Sequence, residues 1–296
     1  MIFHKNFSVY NRVDDCKGSD FMAIPTKTLA NGVEMPYLGL GVYKMEDREE
    51  ALNAMATALK LGYRAIDTAA LYNNEREVGE AIRANGIPRE EIFVTTKVWN
   101  SDQGYDETLR AFETSLKKLG LEYVDLYLTH WPEEGKFVDT FRAIERLYEE
   151  KLIRVPGVSN HHQHHLEKIF AKANVQPMVN QVECHPYLQQ DELKTFCKEH
   201  NIAVTAWAPI GKGRILNDET LVKLANKYGK TPAQIVLRWH YQNDTITIPK
   251  SVTPSRIEEN MNIFDFELSS EDMLTIKALN KNERFGQNPD NFHFDF

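Results

Sequence analysis

Val124-Asp125-Leu126-Tyr127-Leu128-Thr129-His130 is a short, β-rich apolar run that stops at a polar residue. Tyr63-Arg64-Ala65-Ile66-Asp67 and Phe93-Val94-Thr95-Thr96-Lys97 do the same upstream. Similar runs end near Gly41, Val158, Gln181, Trp207 and Ile248. The eight ends lie 26, 30, 33, 28, 23, 26 and 41 residues apart, and the longest gap has room for two helices. Between them the apolar residues take helical spacing: Leu109, Phe112, Leu116 and Leu119 lie on one face, and Gly120 stands where a C-terminal cap belongs. Leu52, Met55 and Leu59 repeat the pattern before Gly62, and Thr231-Pro232 opens a helix through 234–241. Parallel strands require a crossover each time, so eight such units predict an α/β protein, a (β/α)8 TIM barrel. On spacing alone an open, doubly wound sheet is the alternative.

Working outward, Asn31-Gly32 between 27–30 and 33–35 predicts an N-terminal β-hairpin with a two-residue type I′ turn. Residues 1–21 lack the apolar stretch of a secretory signal and read as a disordered extension or an upstream start. No low-complexity linker interrupts 22–296, so one domain is expected there, with a short C-terminal tail. Of 296 residues, 42% are hydrophobic and 26% charged, too apolar for disorder. A net charge of -8 argues against a nucleic-acid partner, and no apolar run approaches the length of a membrane span. Cys16, Cys184 and Cys197 form no C-x-x-C pair, which favours a reducing, cytoplasmic compartment.

A barrel of this kind builds its active site at the C-terminal strand ends. Asp67, Lys97 and His130 therefore face one mouth, where each alone would be costly to bury and together they satisfy one another. Tyr72, five residues past Asp67, folds back into the same space. Singly, each has a bland explanation: a solvated strand end, a packing tyrosine, a core histidine. All four at the same end of their units point to chemistry.

These residues also carry a family resemblance. Gly62-Tyr63-Arg64-Ala65-Ile66-Asp67-Thr68-Ala69, with Tyr72, Glu75 and Val78-Gly79, closely resembles the leading motif of the aldo-keto reductases. Thr96-Lys97-Val98-Trp99, His130-Trp131-Pro132, Gly157-Val158-Ser159-Asn160, Asn180-Gln181-Val182-Glu183-Cys184-His185-Pro186-Tyr187 and Ile248-Pro249-Lys250-Ser251, with Arg256, Glu259 and Asn260, complete the pattern. The resemblance covers 22–296 and extends to the compact microbial branch with diketogluconate, glyoxal and methylglyoxal reductases. It implies NADPH across the barrel mouth and a mostly monomeric enzyme. Position by position, it implies that Ser159, Asn160 and Gln181 hold the nicotinamide carboxamide and that Trp207 stacks on the ring. Lys250, Ser251 and Arg256 would grip the 2′-phosphate, with Glu259 and Asn260 beside the adenine. Gly39-Leu40-Gly41 is not a dinucleotide fingerprint, because Lys44 occupies its third glycine position; Gly39 and Gly41 read as close-packing glycines.

Carbonyl reduction by hydride transfer needs an acid for the oxygen that gains charge. Tyr72 is the expected acid, Lys97 the cation that makes its proton available, Asp67 the lysine's partner and His130 a second donor. Tyr43, Trp99 and Trp131 are the expected substrate-pocket walls. A short loop after Pro132 and a short tail predict a shallow mouth, suited to small aldehydes and α-dicarbonyls and poor for ketosteroids and prostanoids. Two other classes fit the same residues less well: an aldolase with Lys97 as Schiff base, and a cofactor-binding regulatory subunit that turns over poorly.

Two positions depart from the family pattern. Pro156 lies inside a strand and predicts local distortion. His161 opens the run His161-His162-Gln163-His164-His165, in which His161 and His165 have helical spacing. With no acidic or cysteine ligand obvious, the run is expected to start a solvated helix, and no metal is expected.

Overall fold

A computed structural model describes residues 23–292; the expected extension over 1–21, and Cys16 within it, lie outside the described residues. A hairpin of β1 (Thr26–Thr28) and β2 (Glu34–Pro36) precedes eight parallel strands: β3 (Leu40–Gly41), β4 (Ala65–Asp67), β5 (Phe93–Val98), β6 (Val124–Thr129), β7 (Ile153–Ser159), β8 (Val179–Glu183), β9 (Ala203–Trp207) and β10 (Ile246–Thr247). The eight pair in chain order. A parallel bridge between Leu38 and Thr247, with Gly39 N–H donating to Thr247 O at 2.9 Å and Thr247 N–H to Tyr37 O at 2.9 Å, joins the last strand to the first. The sheet is thus a barrel and not an open doubly wound sheet. Its strand ends fall within two residues of those read from the sequence.

The connections are helical: α1 (Arg48–Leu61), α2 (Glu75–Ala84), α3 (Tyr105–Leu119), α4 (Phe137–Glu149), α5 (Gln163–Phe170), α6 (Asp191–Glu199), and both α7 (Glu219–Tyr228) and α8 (Pro232–Gln242) in the long gap. Then α9 (Pro254–Met261) and α10 (Ser270–Lys277) follow β10. Gly120 ends α3 in the left-handed region at φ 62°, which a side chain rarely adopts. Thr231 caps α8 with Gln234 in a reciprocal capping box, satisfying backbone N–H groups at the helix start.

Strand side chains alternate between two cores, as the pleat requires. Ala65, Phe93, Leu126, Leu128, Val155 and Val179 fill the barrel interior, which hairpin residues Leu29 and Met35 close from below. Ile66, Val94 and Tyr127 point outward onto Met55, Phe112 and Phe141 of the helices. Gly41 has a packing reason to be glycine: a Cβ there would stand 2.6 Å from Ile248 O. Cys184 and Cys197 are buried, and burial pushes both thiols up to about 11.

Two local expectations need correction. The hairpin loop has three residues, Ala30-Asn31-Gly32: Leu29 N–H donates to Val33 O and Gly32 N–H to Leu29 O. Gly32 has φ 82°, whereas Asn31 is not among the positive-φ residues, so the loop is not type I′. Pro156 produces no break, since β7 runs unbroken from Ile153 to Ser159. Its carbonyl accepts from Met178 N–H at 2.9 Å, just before β8 begins. In a parallel ladder a residue's N–H and C=O face the same neighbour. The missing N–H therefore faces the loop ahead of β8 and removes no rung of the ladder.

Candidate active site

Asp67 closes β4, Lys97 lies near the end of β5, and His130 follows β6 directly. Tyr72 ends a 3-10 turn, Ala70–Tyr72, which Asn73 terminates in the left-handed conformation at φ 56°. That tight turn sends the tyrosine back over the strand ends. Lys97 has no exposed surface, and each of its three ammonium protons has an acceptor. Its Nζ donates to Asp67 Oδ1 at 2.6 Å, to Thr68 O at 2.8 Å and to Tyr72 Oη at 3.4 Å. Asp67 in turn accepts from Gln181 Nε2 at 2.7 Å. The His130 ring stands edge-on to Tyr72 at 5.7 Å, and its buried Nδ1 has no hydrogen-bond partner among the described residues.

Burial governs the ionisation of this group. It lowers the Lys97 pKa, against the opposing pull of Asp67. Burial, with Lys97 beside it, drives His130 well below 6.5, so the imidazole is neutral. For Tyr72 the expected sign is reversed: burial, then Asp67 and Tyr43, raise its pKa well above 10. The Lys97 charge is offset by a carboxylate 2.6 Å away. The phenol therefore meets an ion pair rather than a bare cation, and loss of water dominates. The hydroxyl stays protonated, the form an acid needs.

The expected cofactor residues divide into two clusters. Ser159, Asn160 and Gln181 come together at the ends of β7 and β8, but much of their bonding capacity is used internally. Ser159 Oγ donates to Gln181 O, Asn160 Nδ2 to His130 O, and Trp207 Nε1 to Asn160 Oδ1 at 2.8 Å. Gln181 bridges this cluster to Asp67. The second cluster follows β10. Lys250 and Arg256 are exposed, and among the described residues neither has an ion pair or side-chain hydrogen bond. Ser251 Oγ accepts from Thr253 N–H just ahead of α9. Glu259 holds the Thr231 hydroxyl at 2.7 Å, and Asn260 is buried. Two unpaired cations beside a free helix start fit a phosphate, and the amide cluster beside His130 fits a carboxamide once its bonds are exchanged. The residues present therefore suit an extended dinucleotide.

The pocket walls assemble with one addition. Tyr43 is half-exposed, 5.0 Å from the Tyr72 ring, and Trp99 stands edge-on to His130 at 5.1 Å. Trp131 is covered by Phe292, stacked at 4.1 Å and 10°. The short tail thus folds back onto the mouth, which is less open than expected. Glu183 holds that tail by accepting from Phe285 N–H at 2.6 Å and Gly286 N–H at 3.0 Å. Phe292, Glu183 and the Gln181–Asp67 bond have no local sequence signal. The histidine run also differs from expectation: His161 is buried against Phe137 with its Nδ1 2.8 Å from Ser159 O, and α5 begins only at Gln163. His161 and His165 therefore share no helix face, and His165 is buried too.

Residues 37–281 match the family model described as the aldo/keto reductase family. The chain is 56% identical over 268 residues to a 9,11-endoperoxide prostaglandin H2 reductase of Trypanosoma cruzi, covering 90% of this chain and 95% of that one. It is 54% identical over 269 residues to a glyoxal reductase of Bacillus subtilis, covering 91% and 98%. Among solved structures, a mutant of Gox0644 in complex with NADPH superposes with a TM-score of 0.88 at 44% identity, covering 92% of this chain and all of that one.

Proposed function

From the premise that the chain belongs to the aldo/keto reductase family and is an oxidoreductase using a nicotinamide cofactor, we propose that it reduces small aldehydes and α-dicarbonyls with NADPH, Tyr72 serving as the acid. It would act as a monomeric, single-domain cytoplasmic enzyme over 22–296. The observation that carries this reading is the buried Asp67–Lys97–Tyr72 chain ending beside a neutral His130. When bound, NADPH supplies the hydride. The rest is the work of side chains: negative charge growing on the substrate oxygen is met by the Tyr72 hydroxyl, which gives up its proton, and by a His130 N–H. Lys97 then stabilises the phenolate left behind, and Asp67, fixed by Gln181, keeps the lysine aimed. Lys250, Ser251 and Arg256 would bind the 2′-phosphate, with Glu259 and Asn260 near the adenine. Ser159, Asn160, Gln181 and Trp207 would hold the nicotinamide end.

The glyoxal reductase relative supports small dicarbonyls as substrates. The Trypanosoma relative favours a second reading, an endoperoxide substrate. A panel of kcat/KM values with NADPH tests both: methylglyoxal, glyoxal and a substituted benzaldehyde against a ketosteroid and a prostaglandin endoperoxide. Small carbonyls should lead by at least about tenfold, roughly 1.4 kcal/mol of transition-state discrimination. A steroid or endoperoxide preferred by that margin would overturn the substrate assignment.

A further inference from the structure

At the rim of the mouth, three imidazoles converge on one carboxylate oxygen. Asp290 Oδ1 lies 2.8 Å from His162 Nδ1, 3.4 Å from His164 Nε2 and 4.0 Å from His165 Nε2. One ligand atom from each of the four lies within 4.8 Å of all the others. The histidines stand at the start of α5, shortly after the Ser159-Asn160 corner, whereas Asp290 sits in a 3-10 turn, Pro289–Asn291, 128 residues beyond His162. A hydrogen bond to the carboxylate would require only one imidazole. Three around a single oxygen are the donor set of a borderline transition metal.

We propose that His162, His164, His165 and Asp290 form a Zn2+-type metal site that ties the C-terminal tail to the start of α5. In a tetrahedral zinc site, neighbouring ligand atoms are about 3.4 Å apart, given bonds of roughly 2.0–2.2 Å. The His164–Asp290 separation of 3.4 Å already matches, and the His162 and His165 contacts at 2.8 and 4.0 Å each lie about 0.6 Å from that value. Two hydrogen bonds must be exchanged. His162 Nε2 now accepts from Arg284 Nη2 at 3.0 Å, so a metal on Nδ1 moves the ring proton to Nε2 and displaces Arg284. His165 Nδ1 now accepts from His162 N–H at 3.1 Å, and coordination through Nε2 releases that bond. His162, His164 and Asp290 are therefore the primary ligands, and His165 completes the set. Phe292, stacked on Trp131, follows Asp290 by two residues, so an ion here would fix a wall of the mouth in place.

The test uses the full chain without a histidine tag, freed of metal by a chelator, with Zn2+ alone as the probe. Competition with a chromophoric zinc chelator should count one ion per chain. His164→Ala and Asp290→Ala, both at exposed positions, should each weaken binding at least about tenfold, the scale on which zinc sites respond to loss of a supporting residue. Mg2+ at the same concentration should not compete, because it prefers oxygen donors. Hydrogen exchange over 284–292 should slow on adding Zn2+ to the parent chain and not to Asp290→Ala. No stoichiometric binding, binding indifferent to both substitutions, equal competition by Mg2+, or unchanged tail exchange would each overturn the proposal.

Discussion

Both ends of the barrel bury a carboxylate beside cations, and they use it differently. At the floor, Asp125 is fully buried and accepts from Arg89 Nη2 at 2.8 Å, Arg154 Nη1 at 2.7 Å and Val94 N–H at 2.9 Å. Its two arginines keep 20% and 40% of their side chains in solvent, so their charges are only partly desolvated. At the mouth the cation is the more deeply buried member: Lys97 has no exposure and divides its protons among three acceptors, and the buried Nδ1 of the neutral His130 has no partner among the described residues. The floor is a closed set of bonds that holds strands together. The mouth instead strings its bonds into a chain, Asp67–Lys97–Tyr72, that ends on a hydroxyl at the strand ends.

If this contrast is correct, substitutions at the two ends should separate activity from stability. The largest effect belongs to the mouth: Tyr72→Phe removes one hydroxyl and should lower kcat by at least about 100-fold, near 2.7 kcal/mol, with an unchanged urea midpoint. Near-full turnover would remove Tyr72 from the chemistry. Asp125→Ala should do the reverse. It leaves Val94 N–H unsatisfied while water takes over the two arginines, costing about 2 kcal/mol of stability, with kcat preserved. A lost activity at full stability would erase the distinction between the ends. Arg256 sharpens it, because this cation, unlike Arg89, has no carboxylate partner among the described residues. Arg256→Ala should raise the NADPH Kd by about tenfold, roughly 1.4 kcal/mol, and leave NADH within about twofold, measured by cofactor fluorescence. The smallest effect concerns pH. Burial and Lys97 depress the His130 pKa, so the ring remains neutral as pH falls through 6.5 and protonates only well below it. The kcat/KM profile should therefore stay within about twofold from pH 6 to 8; a step near 6.5 assigned to His130 by substitution would contradict its neutral state.

The barrel was legible because each strand is a local event, an apolar run stopped by a polar residue. Asp67, Lys97 and His130 could be placed at one mouth from those stops alone. What escaped depends on residues far apart in sequence or on burial itself. Gln181 reaches Asp67 across 114 residues. Asp290 supplies the carboxylate that the histidine run lacks within its own segment. The direction of the Tyr72 shift turned on dehydration outweighing a neighbouring charge that Asp67 already offsets. In the hairpin, Asn31-Gly32 marked a turn without fixing the loop length, because a type I turn closed by a left-handed glycine accepts the same dipeptide.

If the substrates are the small reactive carbonyls proposed above, the two buried thiols bear on how long the enzyme survives its own reactants. Thiolates are one class of nucleophile that electrophilic carbonyls attack, and thiolate abundance follows pKa. With Cys184 and Cys197 pushed up to about 11 by burial, the thiolate is far scarcer at either site near neutral pH than at an ordinary cysteine. Neither sulfur is open to solvent. These positions are thereby protected against covalent self-poisoning, a chemical durability separate from folding stability and acquired from packing alone.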